Sequence, residues 1–182
     1  YRLMCLRAED REAFDSEQQN DPLSANEAPF NGCITFWVDR SRDWLLFGAV
    51  DPSLGKQGAG RDPSAILVGG FLRESMTLDV VEASIRKRHP DRIIEDVIAL
   101  HDVHHPLLWG VEAVQFQEFF AHVLVQRAAE RGIALPVRPL VNSADKLLRI
   151  ESLQPHMAQG RIRLHASQQA LIDQLRHFPR AD

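Results

Sequence analysis

Trp44-Leu45-Leu46-Phe47-Gly48-Ala49-Val50-Asp51-Pro52-Ser53-Leu54-Gly55 is the stretch on which the reading of the chain turns. An apolar run of this length, closed by proline and glycine, predicts a buried core strand. The strand delivers one carboxylate, Asp51, at its end. An acid is disfavoured inside a strand and costly to bury unless something pairs with it. A divalent cation is one good partner, because hard cations take carboxylate oxygens.

A second stretch has the same form. Pro106-Leu107-Leu108-Trp109-Gly110-Val111-Glu112-Ala113 is another apolar strand with one acid near its end. Two strands that each present an acid at the carboxyl edge of one sheet can hold a metal pair between them. The remainder of the chain is then the frame for that pair.

The chain has 182 residues, enough for one domain with a sizeable core. At 45% hydrophobic and 25% charged, its composition is that of an ordinary soluble domain. No apolar run approaches a bilayer-spanning length, and the first residues are not a signal peptide, so no membrane partner is expected. A chain opening at Tyr1 is expected to be part of a longer one. Cys5 and Cys33 form no disulfide framework and no metal spacing, which suits a reducing cytoplasm. The net charge of −4 comes entirely from residues 1–40, and residues 41–182 are neutral. A neutral body does not advertise nucleic-acid binding, although basic residues gathered on one face would suffice.

Residues 1–40 read as a linker or arm, acidic and poor in apolar anchors from Glu9 to Pro29, with a short strand within Ile34–Val38. The folded body is expected from Ser41. Past the Asp51 strand, Lys56–Pro63 is a turn-rich loop. Ser64–Leu72 and Thr77–Ala83 follow as strands whose short links favour an antiparallel meander. Pro90-Asp91 opens a helix with Ile94, Val97, Ile98 and His101 on one face. A helix from about Gln115 to Arg131 carries Phe116, Phe119, Phe120, Val123 and Leu124 as its apolar stripe, and Gly132 stops it. Leu135–Val141 suits an edge strand because of its prolines. Ser143 caps a helix with Leu147, Ile150, Leu153 and Met157 on one side. Arg161–His165 is a short strand, and Ser167 caps a last helix. This order predicts an α/β fold, a mixed sheet flanked by helices.

That order, with an acid on the first long strand and another on the fourth, resembles the ribonuclease H-like fold, and in particular the nuclease domain of bacteriophage terminase large subunits. Gly48-Ala49-Val50-Asp51-Pro52-Ser53, followed by Asp62-Pro63-Ser64-Ala65-Ile66, is similar to that family's first acidic strand and hairpin. Gly110-Val111-Glu112-Ala113-Val114-Gln115-Phe116-Gln117 resembles its second acidic strand. Asp145-Lys146-Leu147-Leu148-Arg149-Ile150, then Gln159-Gly160-Arg161-Ile162, resembles its Lys-x-x-Arg helix and glycine turn. Leu175-Arg176-His177-Phe178-Pro179 looks like the approach to its last acidic motif. Glu17-Gln18-Gln19-Asn20-Asp21-Pro22 is similar to the connector that follows the family's packaging ATPase domain. The family's third acid comes just after the Phe-Pro, so Asp182 or a residue beyond it is the expected counterpart.

The resemblance implies a metal-dependent endonuclease that cuts concatemeric double-stranded phage DNA during genome packaging. Two Mg2+ or Mn2+ ions, roughly 3.5–4 Å apart, would lie across the carboxylates. Asp51 would bridge both, Glu112 would hold one and orient water, and Asp62 is a candidate outer ligand. The implied partners are double-stranded DNA, an N-terminal packaging ATPase domain of the same chain, the portal and the small terminase subunit. The implied place is the cytoplasm of an infected bacterial host cell. Lys146 and Arg149, spaced i and i+3 on a helix, would track a phosphate backbone with Arg161 and Arg163.

Each of these residues has a plainer reading. Asp51 before Pro52 suits a turn, Glu112 before a helix suits the helix dipole, and the four basic residues suit a solvated face. Arg86-Lys87-Arg88 reads as a solvated turn. His101, Asp102, His104 and His105 offer transition-metal ligands, but they suit a solvated helix end better. Trp44 and Trp109 read as core, and Gln115 and Gln117 as polar residues at a helix start. Two rival functions remain. Asp51–Gln57 is loosely similar to the first phosphate loop of sugar-kinase and actin-like ATPases, which need a second nucleotide-binding half that this chain does not supply. The other rival is a non-catalytic ribonuclease H-like module that docks DNA or a portal protein, which would lack metal binding at Asp51 and Glu112.

Overall fold

The computed structural model describes residues 28–53, 63–112, 117–141 and 145–179. Residues 1–27 of the expected arm lie outside them, as do the Leu54–Asp62 segment, Gln115, Phe116, Ser143 and Asp182. The described strands are β1 (Thr35–Phe36), β2 (Leu45–Asp51), β3 (Ser64–Leu72), β4 (Thr77–Arg86), β5 (Trp109–Glu112), β6 (Val137–Leu140) and β7 (Ile162–Leu164). They form one sheet in the order β1-β7-β4-β3-β2-β5-β6. β3 pairs antiparallel with β2 and β4, and every other described pair is parallel. The meander expected from the short links is therefore present, and β6 is the edge strand its proline suggested. The sheet also takes in β1, ahead of Ser41, where the body was expected to begin.

The helices are α1 (Pro90–His104), α2 (Gln117–Ala129), α3 (Lys146–Glu151), α4 (Gln154–Ala158) and α5 (Gln169–His177). α1 buries Ile93, Ile94, Val97 and Ile98 against Val50, Ile66, Val68, Trp109 and Val111 of the sheet. Phe120, Leu124 and Ala128 of α2 join the same core. Each fully buried Ile, Leu or Phe contributes roughly 1.5–3 kcal/mol, so this face dominates the stability of the domain. Phe119, expected in the apolar stripe of α2, is instead 71% exposed.

Val50 pairs with Val111 and Gly48 with Trp109, which sets the side-chain alternation of both strands. Val50, Trp109 and Val111 point into the core, so Asp51 and Glu112, one residue on, point to the opposite face. Gly48 makes this register possible. A Cβ there would run into the indole of Trp109, which is fully buried and donates from Nε1 to His101 Nδ1 at 3.2 Å. Overpacking a filled core costs about 1–3 kcal/mol. At roughly 2–4 °C per kcal/mol for a domain this size, Gly48→Ala lowers Tm by about 2–12 °C in a thermal melt. An unchanged Tm would show that the indole is not held where it lies.

Several expectations give way to packing. The single helix expected after Ser143 is two short ones, because Pro155 has no N–H to continue the first and stands at the start of the second. Asp145 caps α3, accepting from Leu147 N at 2.8 Å and Leu148 N at 3.3 Å. Leu147 and Leu153, expected on the buried side with Met157, are exposed, whereas Met157 is buried. The N-cap of α5 is Gln168 with no side-chain cap, and the Ser167 hydroxyl bonds His165 Nδ1 instead.

Arg88 is not in a solvated turn. It is buried and donates to Ser64 Oγ at 3.0 Å and to the Ser84 hydroxyl, with Asp96 Oδ2 3.0 Å from its Nε. His104 is buried too, with Nε2 3.5 Å from Glu82 and Nδ1 3.3 Å from Arg40. Trp109 is core as expected, while Trp44 is half-buried and packs edge-on against Trp37 at a 5.1 Å ring separation. No helix among the described residues is long and apolar enough to cross a membrane.

Candidate metal and DNA site

The parallel strands β2 and β5 end together, and their last residues are Asp51 and Glu112. The two acids are therefore side by side on one face at the carboxyl edge of the sheet. Asp51 Oδ1 accepts from Ser53 N at 3.0 Å, which folds the chain sharply away after Pro52, and Ser53 takes φ 48° to do so. The local turn expected of an Asp before proline is thus present.

Burial pushes the Asp51 carboxyl above its ordinary value of 3.8, against the lowering effect of the Ser53 amide. The charge of Glu112 raises it further, and Lys146 and Arg149 pull it back. An acid held in this state makes the folded chain less stable when ionised. The penalty is present at neutral pH and disappears as pH falls through the raised pKa towards 3.8. Asp51→Asn therefore raises Tm at pH 7 in EDTA, by about 2–4 °C for each kcal/mol relieved. The gap between the two proteins closes as the buffer is acidified. A lower Tm for the Asn variant at pH 7 would show that Asp51 is stabilising without a bound cation.

The helix α3 lays two basic side chains over the acids. Arg149 Nη2 is 3.7 Å from Glu112 Oε1, with side chains 38% and 25% exposed. Arg149 Nε is buried and makes no hydrogen bond. Lys146 lies one turn earlier on the same helix and is near enough to act on Asp51.

Two of the four expected phosphate-tracking residues are elsewhere. β7 runs parallel to β4, and its Ile162 pairs with Leu78 near the start of β4. Across the ladder Leu78 faces Phe71 and Phe71 faces Leu45, the first residue of β2. Arg161 and Arg163 therefore lie towards the edge of the sheet opposite to Asp51, about 15–20 Å away along the strands and three strands across. Arg163 is committed there to the buried carboxylate of Asp79, with Nε to Oδ1 at 2.7 Å and Nη2 to Oδ2 at 2.9 Å. The sequence shows which basic residues share a helix turn but not which sheet edge the next strand starts from. Asp79 itself was legible as an acid inside a buried strand, the same signal that singled out Asp51.

Asp62 and Asp182 lie outside the described residues. Among the described residues no group of three or more His, Cys, Asp or Glu side chains could hold a metal ion. The site there supplies two carboxylates. Both are hard oxygen donors, and their close like charges call for a cation between them, so the donor set fits Mg2+ or Mn2+. His101, Asp102, His104 and His105 form no such group among the described residues, and the solvated helix end expected of them fails at His104, which is buried.

No family model matches the chain, and no curated protein does either. Solved structures do match. The human cytomegalovirus terminase nuclease domain is similar with a TM-score of 0.59 at 13% identity, over 87% of this chain and 87% of that one. The nuclease domain of the P22 large terminase is similar with a TM-score of 0.57 at 12% identity, over 81% of this chain and 75% of that one. The HK97 bacteriophage large terminase is similar with a TM-score of 0.56 at 11% identity. That match covers 93% of this chain but only 41% of the HK97 protein, so the chain spans about two-fifths of a full large terminase. The mixed sheet of the seven described strands, with its flanking helices, thus has the ribonuclease H-like α/β fold of terminase nuclease domains.

Proposed function

We propose that the chain is a divalent-metal-dependent endonuclease that cuts double-stranded DNA during viral genome packaging. The observation that carries this reading is the pair Asp51 and Glu112. They stand side by side at the ends of β2 and β5, and burial and the charge of Glu112 make the Asp51 carboxylate costly to ionise without a cation. Asp51 and Glu112 would hold the cations by their carboxylate oxygens, with Asp62 as an outer ligand. Bound Mg2+ or Mn2+ supplies an activated water and neutralises charge on the leaving oxygen of the phosphodiester.

The chain's own residues do the rest. Lys146 and Arg149 on α3 face the same space and bind non-bridging oxygens of the phosphate backbone. Contacts of this kind carry no sequence information, so the cut has little sequence preference. Arg161 and Arg163 are left out of this set because they lie towards the far edge of the sheet. Asp51 binds cations only when ionised, so its raised pKa makes cutting fall off on the acid side.

Likeness to large terminases, one of them in complex with ADP, supports an ATPase domain in the same chain, and the portal and small terminase subunit are proposed with it as partners. A human cytomegalovirus nuclease domain with this fold has been soaked with manganese, which supports the choice of ion. A phage or prophage protein of this kind would act in the cytoplasm of an infected bacterium. The test is incubation of supercoiled plasmid with the chain in Mg2+, in Mn2+ and in EDTA. Nicking and linearisation in either metal, abolished by EDTA, are expected. Metal-independent cutting would overturn the reading. Absence of cutting with retained DNA binding would favour the non-catalytic docking module.

A further inference from the structure

We propose that Arg149 is a resident counter-cation of the acid pair. It neutralises Glu112 when no divalent ion is held, and it gives up that carboxylate when one binds. The inference rests on the reading of Asp51 and Glu112 as metal ligands and adds a competitor inside the site.

Three observations carry it. First, Arg149 Nη2 stands 3.7 Å from Glu112 Oε1, close enough for charge pairing but too long for a hydrogen bond. Second, Arg149 Nε is buried with no hydrogen-bond partner, so the guanidinium is held near the acids without being fixed by them. With its side chain 38% exposed, the planar fork can also reach a second anion of matching shape, and a phosphodiester is one. Third, Arg149 also acts by charge on Asp51, so a single side chain is felt by both acids. The cap at Asp145 fixes the start of α3 and keeps Arg149 within reach.

The pairing is weak by construction. With both side chains partly exposed, such an ion pair is worth only about 0.2–1 kcal/mol. A divalent ion carries twice the charge and makes inner-shell bonds to the carboxylate, so it displaces the guanidinium. The freed guanidinium then pairs with phosphate. Metal uptake and DNA engagement become linked through one residue.

The test is Mn2+ affinity, read from the spectrum of free Mn2+ by electron paramagnetic resonance without DNA, for wild type, Arg149→Gln and Arg149→Lys. Removing the competitor should tighten Mn2+ binding about 1.4- to fivefold in Arg149→Gln, the fold-change equivalent to a partly exposed ion pair. The rise in Tm on adding Mn2+ should grow in the same variant. Arg149→Lys keeps the charge and should bind Mn2+ as wild type does. Equal or weaker Mn2+ binding by Arg149→Gln, beside clear binding by wild type, would overturn the counter-cation role alone. Tightening by Arg149→Lys as large as by Arg149→Gln would also overturn it, because charge would not be the cause. No Mn2+ binding by wild type would bring down the metal site and this inference together.

Discussion

Alanine at Asp51 or at Glu112 is expected to lower metal-dependent nicking of supercoiled plasmid by about three orders of magnitude. Each acid ends one of two neighbouring parallel strands, and on the proposed function each would contribute oxygen donors to the cations. Bound metal is worth several kcal/mol of transition-state stabilisation, and each 1.36 kcal/mol is a decade in rate. Losing about 4 kcal/mol therefore removes about three decades. The double variant should fall no further than the singles, because both acids serve one site. The folded state should survive all three changes, since the burial that Asp51→Ala relieves outweighs the Ser53 N hydrogen bond it removes. The check is the rate of loss of supercoiled plasmid in Mn2+, set beside a thermal melt of each variant. Activity within tenfold of wild type in either single variant would sink the site.

The largest expected effect on stability lies towards the other edge of the sheet. Asp79 is 1% exposed on β4 and accepts three hydrogen bonds. Two come from Arg163 on β7, and the third comes from Trp44 Nε1 at 2.9 Å. Gly70 opens the way for that indole, because a Cβ there would meet it at 2.6 Å. One carboxylate thus ties together β4, β7 and the residue before β2. Asp79→Ala leaves a guanidinium and an indole N–H without their acceptor.

Breaking a buried pair costs about 3–5 kcal/mol, and the lower end applies here because Arg163 is one-third exposed. At about 2–4 °C per kcal/mol, Tm falls by roughly 6–12 °C. Asp79→Asn keeps an oxygen for Trp44 and should fall by less. Metal-dependent nicking below the melting range should be unchanged, since Asp79 is distant from Asp51 along the strands. A Tm within 2 °C of wild type for Asp79→Ala would show that the triad holds little.

Asp51, Glu112, Asp79 and Arg163 together show what the sequence makes legible. Apolar runs broken by proline and glycine mark β2, β3 and β5, and the 3.6-residue spacing of Ile94, Val97 and Ile98 marks α1. These signals are local, and the sheet uses them as they stand. The acids at the ends of two such runs were legible for the same reason, because a charge in an apolar strand demands a partner.

Which partner was not legible. Asp79 sends the same signal as Asp51, yet one meets an arginine and the other a neighbouring acid. That difference is set by register and strand order, which join residues 84 positions apart. Arg161 and Arg163 lie close to Lys146 and Arg149 in sequence, which suggests one basic face. The chain between them passes from one edge of the sheet towards the other, and no local pattern reports that crossing. Arg88 illustrates the same limit, since a run of three basic residues reads as solvated until Ser64, Ser84 and Asp96 close around one of them.

The central claim is that divalent cations sit between Asp51 and Glu112. The most direct measurement is an anomalous difference map from crystals of the chain soaked in Mn2+. The account predicts a peak about 2.0–2.3 Å from carboxylate oxygens of both Asp51 and Glu112, absent from crystals of Asp51→Asn. A peak elsewhere, or none between these two acids at saturating Mn2+, would contradict it.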